Sequence, residues 1–198
     1  MGESNVNLAC LIGSRICHDL ISPIGAVSNG IELMGMTAAP SEELVLIRDS
    51  ISSADARIRL FRIAFGTAGA GARISGSEVQ AVLAAIYNGG KLAVSWSDDG
   101  DCARTEVKLA LLLVMCAEST LPWGGTIRIT HEDQTWRMRA EADRMRLLPE
   151  VWDVISNPSA PAEISPSVVQ FALAAATAGE LERPVRVSLS DDLILAEF

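Results

Sequence analysis

Residues 15–24 read Arg-Ile-Cys-His-Asp-Leu-Ile-Ser-Pro-Ile and lie within a long helical repeat near the N-terminus. In this stretch His18 stands beside Asp19, and Pro23 follows five positions after the histidine. Proline has no N–H, so the carbonyl of Asp19, four residues before it, loses its helical partner, and we expect the helix to bend there. The bend falls next to one of only two histidines in the chain.

The residues that share a helix face with His18 are polar or small. At helical spacing Arg15 lies one turn before the histidine and Ser22 one turn after it. Gly25 and Asn29 continue the same face. Because small side chains leave room for another protein to approach an imidazole, the pattern predicts a protein-docking surface around His18.

An apolar seam with alternating steps of three and four residues runs along this segment from Val6 to Met34. The same spacing resumes from Leu44 to Phe65, after Ser41, which is a good N-cap residue. Two long helices with a short connection predict an antiparallel hairpin. One hairpin would leave part of its wide apolar faces uncovered, so we predict a homodimer in which two hairpins form a four-helix bundle.

Composition and charge limit the function. The chain has 198 residues, is 49% hydrophobic and carries a formal net charge of −9. That acidity argues against nucleic acid as a partner, since phosphate binding needs a basic surface. No apolar run reaches the length that crosses a bilayer, and the N-terminus lacks a secretory signal, so we expect a cytoplasmic protein without a membrane partner. The four cysteines form no CxxC pair, and we interpret them as reduced core residues without a metal role.

The remaining chain predicts a mixed α/β unit. Residues 66–72 are rich in glycine and alanine and lack the lysine of a phosphate-binding loop, so we interpret them as a linker. Helices are predicted at 77–88, 105–119, 149–156 and 167–178, and strands at 91–96, 126–131, 136–141, 185–189 and 193–198. Helices over a mostly antiparallel sheet favour a two-layer α/β sandwich, so the predicted fold class is α+β. We place the hairpin at 1–68 and the α/β domain at 74–198.

A family resemblance rests on the same N-terminal stretch. The string CHDLISPI, residues 17–24, resembles the phosphoacceptor box of bacterial histidine kinases. The wider run LACLIGSRICHDLISPIGAVSNGIELM, residues 8–34, is more similar to the ChpT-type histidine phosphotransferases of alphaproteobacteria. The resemblance implies a dimerisation and histidine-phosphotransfer hairpin followed by a degenerate domain shaped like a kinase ATP-binding domain.

The resemblance also implies roles for the residues of the box. His18 would be the nucleophile that takes a phosphoryl group from an aspartate and passes it to another. Asp19 would accept a hydrogen bond from the other ring nitrogen and stabilise the charged ring. Arg15 would balance phosphoryl charge and Ser22 would bind near it. Pro23, with Gly25 and Asn29, would complete the supporting and docking surface.

The kinase nucleotide motifs are absent from the second domain. Aligning the turn Leu121-Pro122-Trp123-Gly124-Gly125 with the TPxGG-like turn of kinases puts Leu112 and Cys116 where kinases carry magnesium-binding asparagines. Neither side chain is a hard-metal ligand. The region 142–147 also lacks the glycines of an adenine-binding motif. We therefore expect no cofactor in this chain, with Mg²⁺ supplied in the partner's receiver domain.

The resemblance implies two partners: the receiver domain of a hybrid histidine kinase as donor, and response-regulator receivers of the CtrA type as acceptors. Two other functions stay open, namely a divergent ATP-dependent histidine kinase and a non-catalytic dimeric scaffold that docks receivers. Outside the box, we interpret His131 as a solvated hairpin residue and the four scattered tryptophans as packing residues. The acidic runs at 98–101 and 191–192 are expected to be exposed turns.

Overall fold

The computed structural model describes residues 12, 15–16, 19–20, 22–27, 29–30, 33, 41–66, 71–157 and 159–198, without the side chains of residues 41, 43 and 48. The described residues before 41 are all helical. Among the residues described, no helix is both long and apolar enough to cross a membrane.

Five further α-helices and seven β-strands follow in mixed order. The helices are α1 (Ser41–Ala64), α2 (Gly76–Tyr87), α3 (Arg104–Thr120), α4 (Pro149–Ser156) and α5 (Val169–Glu180), with a short 3₁₀ turn at Pro166–Val168. The strands are β1 (Arg73–Ser75), β2 (Leu92–Trp96), β3 (Asp101–Ala103), β4 (Gly125–Glu132), β5 (Thr135–Glu141), β6 (Arg186–Leu189) and β7 (Leu193–Glu197). The α+β class predicted from the sequence is thereby confirmed.

Five strands form the main sheet, in the order β2-β4-β5-β7-β6. The hairpins β4–β5 and β6–β7 are antiparallel, as their alternating patterns predict. β2 instead runs parallel to β4, with Leu92 opposite Gly125 and Trp96 opposite Ile129. A separate pair of three-residue strands, β1 and β3, was missed because strands this short have no readable periodicity.

Helix α3 forms the centre of the core. It is buried on every side from Leu109 to Ala117, which its continuous apolar sequence predicts. It packs against α5, α1 and the sheet. α2 begins one residue before the predicted 77–88, and its N-cap is Ser75, because Ser75 ends β1 in an extended conformation and its hydroxyl accepts from the Glu78 N–H at 3.2 Å.

The two halves of α1 differ in burial. Its C-terminal half belongs to the main core, where Leu60 and Ala64 are fully buried. Its N-terminal half instead exposes large apolar side chains, including Leu44 and Ile51 at about half of their full exposure. The helix therefore ends inside the α/β unit, whereas its N-terminal half presents apolar side chains at the surface.

Residues 67–70 of the predicted linker lie outside the described part of the chain. On its two sides the backbone is held to α3, since Lys108 donates to the Gly66 carbonyl at 3.3 Å and the Arg104 N–H donates to the Ala72 carbonyl at 2.9 Å. These bonds fix where the chain leaves α1 and where it enters β1. The division into 1–68 and 74–198 stays a prediction.

A turn with two glycines joins α3 to the sheet. Gly124 has φ +103°, and a Cβ there would lie 2.4 Å from the Lys91 carbonyl oxygen. Gly125 has φ +147° and approaches the Glu141 carbonyl oxygen equally closely. Only glycine fits this backbone contact, which seats the turn between the start of β2 and the end of β5.

Candidate functional site

The predicted nucleophile, His18, lies outside the described residues, and so do Cys10 and Cys17. The other six predicted site residues are described, and all six are helical. They are Arg15, Asp19, Ser22, Pro23, Gly25 and Asn29.

Arg15 and Asp19 form an ion pair one helical turn apart. The Arg15 Nε lies 2.9 Å from the Asp19 Oδ2, and both side chains are nearly nine-tenths buried. An Arg15 Nη1 also donates to the Ser167 carbonyl at 3.4 Å, just before α5. Ile12 and Ile16 pack against the main core on the same segment. The residues on both sides of position 18 are therefore held against the α/β unit.

Ser22, Gly25 and Asn29 are exposed on the helical residues that follow. A Cβ added to Gly25 would meet no atom within 4 Å. Packing within the chain therefore does not require a glycine at this position. These three exposed residues are polar or small, and Ile24 beside Gly25 is exposed as well.

A second ionic group, which the sequence does not predict, lies near Arg15 and Asp19. Arg57 on α1 contacts Glu118 on α3 at 2.9 Å and 3.4 Å through its two terminal nitrogens. The Tyr87 hydroxyl donates to the same carboxylate at 2.9 Å. Arg57 also lies over the Tyr87 ring, 5.7 Å from its centre. Tyr87 lies 31 positions and Arg57 lies 61 positions before Glu118 along the chain, so no local pattern predicts their contact.

Burial and the Glu118 charge act in opposite directions on the pKa of Arg57 and in the same direction on the pKa of Tyr87. Burial alone would lower the pKa of Arg57, but the Glu118 carboxylate and, more weakly, Asp19 raise it above its ordinary value. Burial raises the pKa of Tyr87, and Glu118 raises it further, whereas Arg15 has a small lowering effect. The charges of Arg15 and Asp19 thus act on the ionic group between α1, α2 and α3.

The positions aligned with kinase magnesium ligands are closed. Leu112 and Cys116 are fully buried in α3, and burial raises the pKa of the Cys116 thiol well above its ordinary value. Next to the Trp123 turn lies a cavity of about 600 Å³, whose lining includes Glu141, Asp143 and Asp192. Of the ionisable lining groups only Arg144 is cationic, and its guanidinium stacks 3.8 Å from the centre of the Trp123 ring. Three carboxylates make this cavity unfavourable for a triphosphate.

His131 is not a solvated hairpin residue, which corrects the expectation from sequence. Its Nδ1 lies 2.6 Å from the Asp98 Oδ2, and its ring stacks on Trp136 at 4.2 Å. Asp98 is likewise largely buried, with 17% of its side chain exposed, although its acidic run was expected to be an exposed turn. Two of the four tryptophans, Trp96 and Trp136, also pack together at 5.0 Å. Pairing of β2 with β4 brings these distant residues together.

Comparison with known proteins shows which family and which relatives this chain is similar to. The family model of the histidine phosphotransferase C-terminal domain matches residues 76–193. The protein phosphotransferase ChpT of Brucella abortus (strain 2308) is 36% identical over 131 residues, which are 65% of this chain. The match spans 63% of the length of that relative.

One solved structure is similar along nearly the whole chain. It is the 1.7 Å structure of a bacterial phosphotransferase, with a TM-score of 0.79 and 28% identity. The match covers 97% of this chain and 95% of that protein. The fold described above therefore occurs in a phosphotransferase.

Proposed function

Since the chain belongs to the histidine phosphotransferase family, we propose that it relays phosphoryl groups between receiver domains through His18. The observation that carries the proposal is the family match to the α/β domain, because the described residues around position 18 are held against that same domain. The donor is the receiver of a hybrid histidine kinase, and the acceptors are response-regulator receivers of the CtrA type.

The reaction takes two steps at His18. A neutral imidazole nitrogen attacks the phosphorus of the donor's aspartyl phosphate, the P–O bond breaks, and the donor aspartate leaves as a carboxylate. A carboxylate oxygen of the acceptor then attacks the phosphohistidine, and the P–N bond breaks. An imidazole with an ordinary pKa near 6.5 is mostly neutral at cellular pH and therefore nucleophilic.

The side chains around the nucleophile support both steps. Asp19 accepts a hydrogen bond from the ring nitrogen that does not attack, which stabilises the positive ring after the P–N bond forms. Arg15 offsets the negative charge of the phosphoryl group during transfer. Its ion pair with Asp19 orients the guanidinium along the helix. Ser22, Gly25 and Asn29 form the surface on which the receiver docks, and Mg²⁺ comes with the receiver.

The catalytic form is a homodimer built on α1. Leu44, Ile51 and Ile58 are exposed at seven-residue intervals along this helix. Ile51 and Ile58 also line a groove of about 330 Å³ together with Pro23 and Ile24 of the N-terminal helical residues. An apolar stripe shared by two helices is the surface that closes a four-helix bundle when two copies meet.

The second domain is a structural partner of the hairpin and not an ATP site. Leu112 and Cys116 are buried at the two positions where kinases carry magnesium-binding asparagines, and neither is a hard-metal ligand. The carboxylates of the neighbouring cavity repel phosphate. These features favour phosphotransfer over an ATP-dependent kinase reaction.

A transfer assay tests the proposal. The purified chain is incubated with a phosphorylated receiver domain and, separately, with ATP and Mg²⁺. We expect acid-labile, base-stable label from the receiver and none from ATP, and we expect His18→Ala to abolish the label. Label from ATP alone would indicate a kinase. Receiver binding without transfer, unchanged in His18→Ala, would indicate a scaffold.

A further inference from the structure

Three potential metal ligands from separate segments meet at one end of the sheet. They are Asp98 after β2, Cys102 in β3 and His131 near the end of β4. The Cys102 Sγ lies 3.2 Å from the Asp98 Oδ2, and the His131 Nδ1 lies 2.6 Å from the same oxygen. One ligand atom from each residue lies within 4.8 Å of the other two. The geometry points to a zinc site formed by this Asp98–Cys102–His131 cluster.

The types of ligand select the metal. A thiolate, an imidazole and a carboxylate suit Zn²⁺, whereas Mg²⁺ and Ca²⁺ prefer sites with oxygen ligands alone. Thiolate and carboxylate together carry two negative charges and balance the charge of the ion. Three protein ligands leave the fourth tetrahedral position to a water molecule.

The separations fit a zinc ion after small movements. Ordinary Zn–S, Zn–N and Zn–O bond lengths in a tetrahedron require about 3.6 Å between sulfur and oxygen and about 3.4 Å between nitrogen and oxygen. The observed 3.2 Å and 2.6 Å are shorter by less than about 1 Å. Moving the Asp98 carboxylate away from the sulfur and the imidazole nitrogen by that amount makes room for an ion between the three ligand atoms.

Surrounding contacts already hold Asp98 and His131 in place. The Gly100 N–H donates to the Asp98 Oδ1 at 2.8 Å, which turns the other oxygen toward Cys102 and His131. The His131 ring lies nearly parallel to Trp136, with a 9° angle between the planes. Trp136 is itself fixed because its Nε1 donates to Glu106 at 3.1 Å. Outer contacts of this kind orient metal ligands and increase affinity.

Binding balances in protons and charge. The S–H bond of Cys102 breaks, the sulfur keeps the electron pair for the metal, and the proton goes to solvent. Before binding, the His131 Nδ1–H donates to the Asp98 carboxylate. Binding moves the ring proton from Nδ1 to Nε2 through solvent, so that His131 binds through Nδ1 as a neutral ring and Asp98 binds as a carboxylate. The metal then joins the loop after β2 to the end of β4 and replaces the hydrogen bonds that now connect them.

The test is zinc binding by the full chain after its metals have been removed with a chelator. In competition with a chromophoric zinc indicator we expect one ion per chain. Cys102→Ser, His131→Gln and Asp98→Asn should each weaken binding at least tenfold. With Co²⁺ in place of zinc, a thiolate-to-cobalt absorption band should form, and Cys102→Ser should remove it.

Matched controls separate the site from general surface binding. Glu132→Gln removes an exposed carboxylate next to His131, and His18→Gln removes the other histidine of the chain. Both should bind zinc like the unmodified chain. Asp98→Asn keeps the side-chain oxygen that faces the Gly100 N–H. If Cys102→Ser does not fold, the zinc affinity of Asp98→Asn therefore tests the site. Binding below one ion per chain, or equal binding by the three ligand variants, would overturn the assignment.

Discussion

The contact between Arg57 and Glu118 should be the strongest ion pair that α1 makes with the α/β unit. At a separation of 2.9 Å the gross attraction is about 6 kcal/mol for an effective dielectric constant of about 20 and about 1.4 kcal/mol in bulk water. Only about a fifth of each side chain is exposed, so the higher value applies before desolvation is counted. Desolvation of the two side chains offsets most of this attraction. The net contribution that remains is about 1.5–3 kcal/mol, which is typical of a hydrogen bond to a charged group.

A double-mutant cycle isolates this contribution. Arg57→Met and Glu118→Gln are measured singly and together, by the free energy of unfolding in a denaturant titration. We expect an interaction energy of about 2 kcal/mol. Each single variant should lower the free energy of unfolding by at least that much, because it leaves a mostly buried polar group without its partner.

The control pair lies on the same helix. Arg59 and Asp55 are 2.8 Å apart at i,i+4, but both side chains are more than half exposed. Arg59→Met with Asp55→Asn should therefore give an interaction energy of only about 0.3–0.5 kcal/mol. Equal interaction energies for the two pairs would show that burial does not strengthen the Arg57–Glu118 contact, and the reasoning would fail.

Three further outcomes can be checked. Gly25→Leu should not lower the free energy of unfolding, because nothing lies within 4 Å of its added Cβ and leucine favours a helix more than glycine does, yet it should slow phosphoryl transfer from a receiver; Gly179→Leu on α5, equally open, should leave the transfer rate unchanged. Gly124→Ala should lower the free energy of unfolding by at least about 1 kcal/mol, since it combines positive φ with a backbone clash. In analytical ultracentrifugation Ile51→Glu should shift a dimer to monomer, whereas Ser52→Glu, also exposed, should not; a monomeric parent chain would contradict the dimer.

Local chemistry predicted much of the fold. α1 begins at Ser41, where the sequence predicts the start of a helix, and α4 coincides with the predicted 149–156 because a proline opens it and an asparagine follows it. The hairpins β4–β5 and β6–β7 follow from alternation around short polar turns. In each case the signal and the structure lie within a few residues of each other, where sequence patterns carry most information.

Long-range pairing could not be predicted in the same way. The parallel register of β2 and β4 places Asp98 near His131, 33 positions later, and neither residue carries a local sign of the other. The contact between Arg57 and Glu118 also depends on how α1 packs against α3. At the candidate site, Arg15 and Asp19 were identified from helical spacing and resemblance, but the bond from Arg15 to the Ser167 carbonyl spans 152 positions. Such contacts are set by tertiary packing and not by periodicity.

The contacts of the N-terminal helical residues give the second domain a role that needs no nucleotide. Arg15 binds a carbonyl next to α5, Ile16 packs on the main core, and the charge of Asp19 acts on Arg57. A transfer site must hold its attacking group and charged neighbours in one orientation, because small displacements raise the barrier steeply. A domain that supplies those anchors can serve phosphotransfer although Leu112 and Cys116 are not magnesium ligands. Loosening the anchors should therefore slow the transfer of label from a phosphorylated receiver.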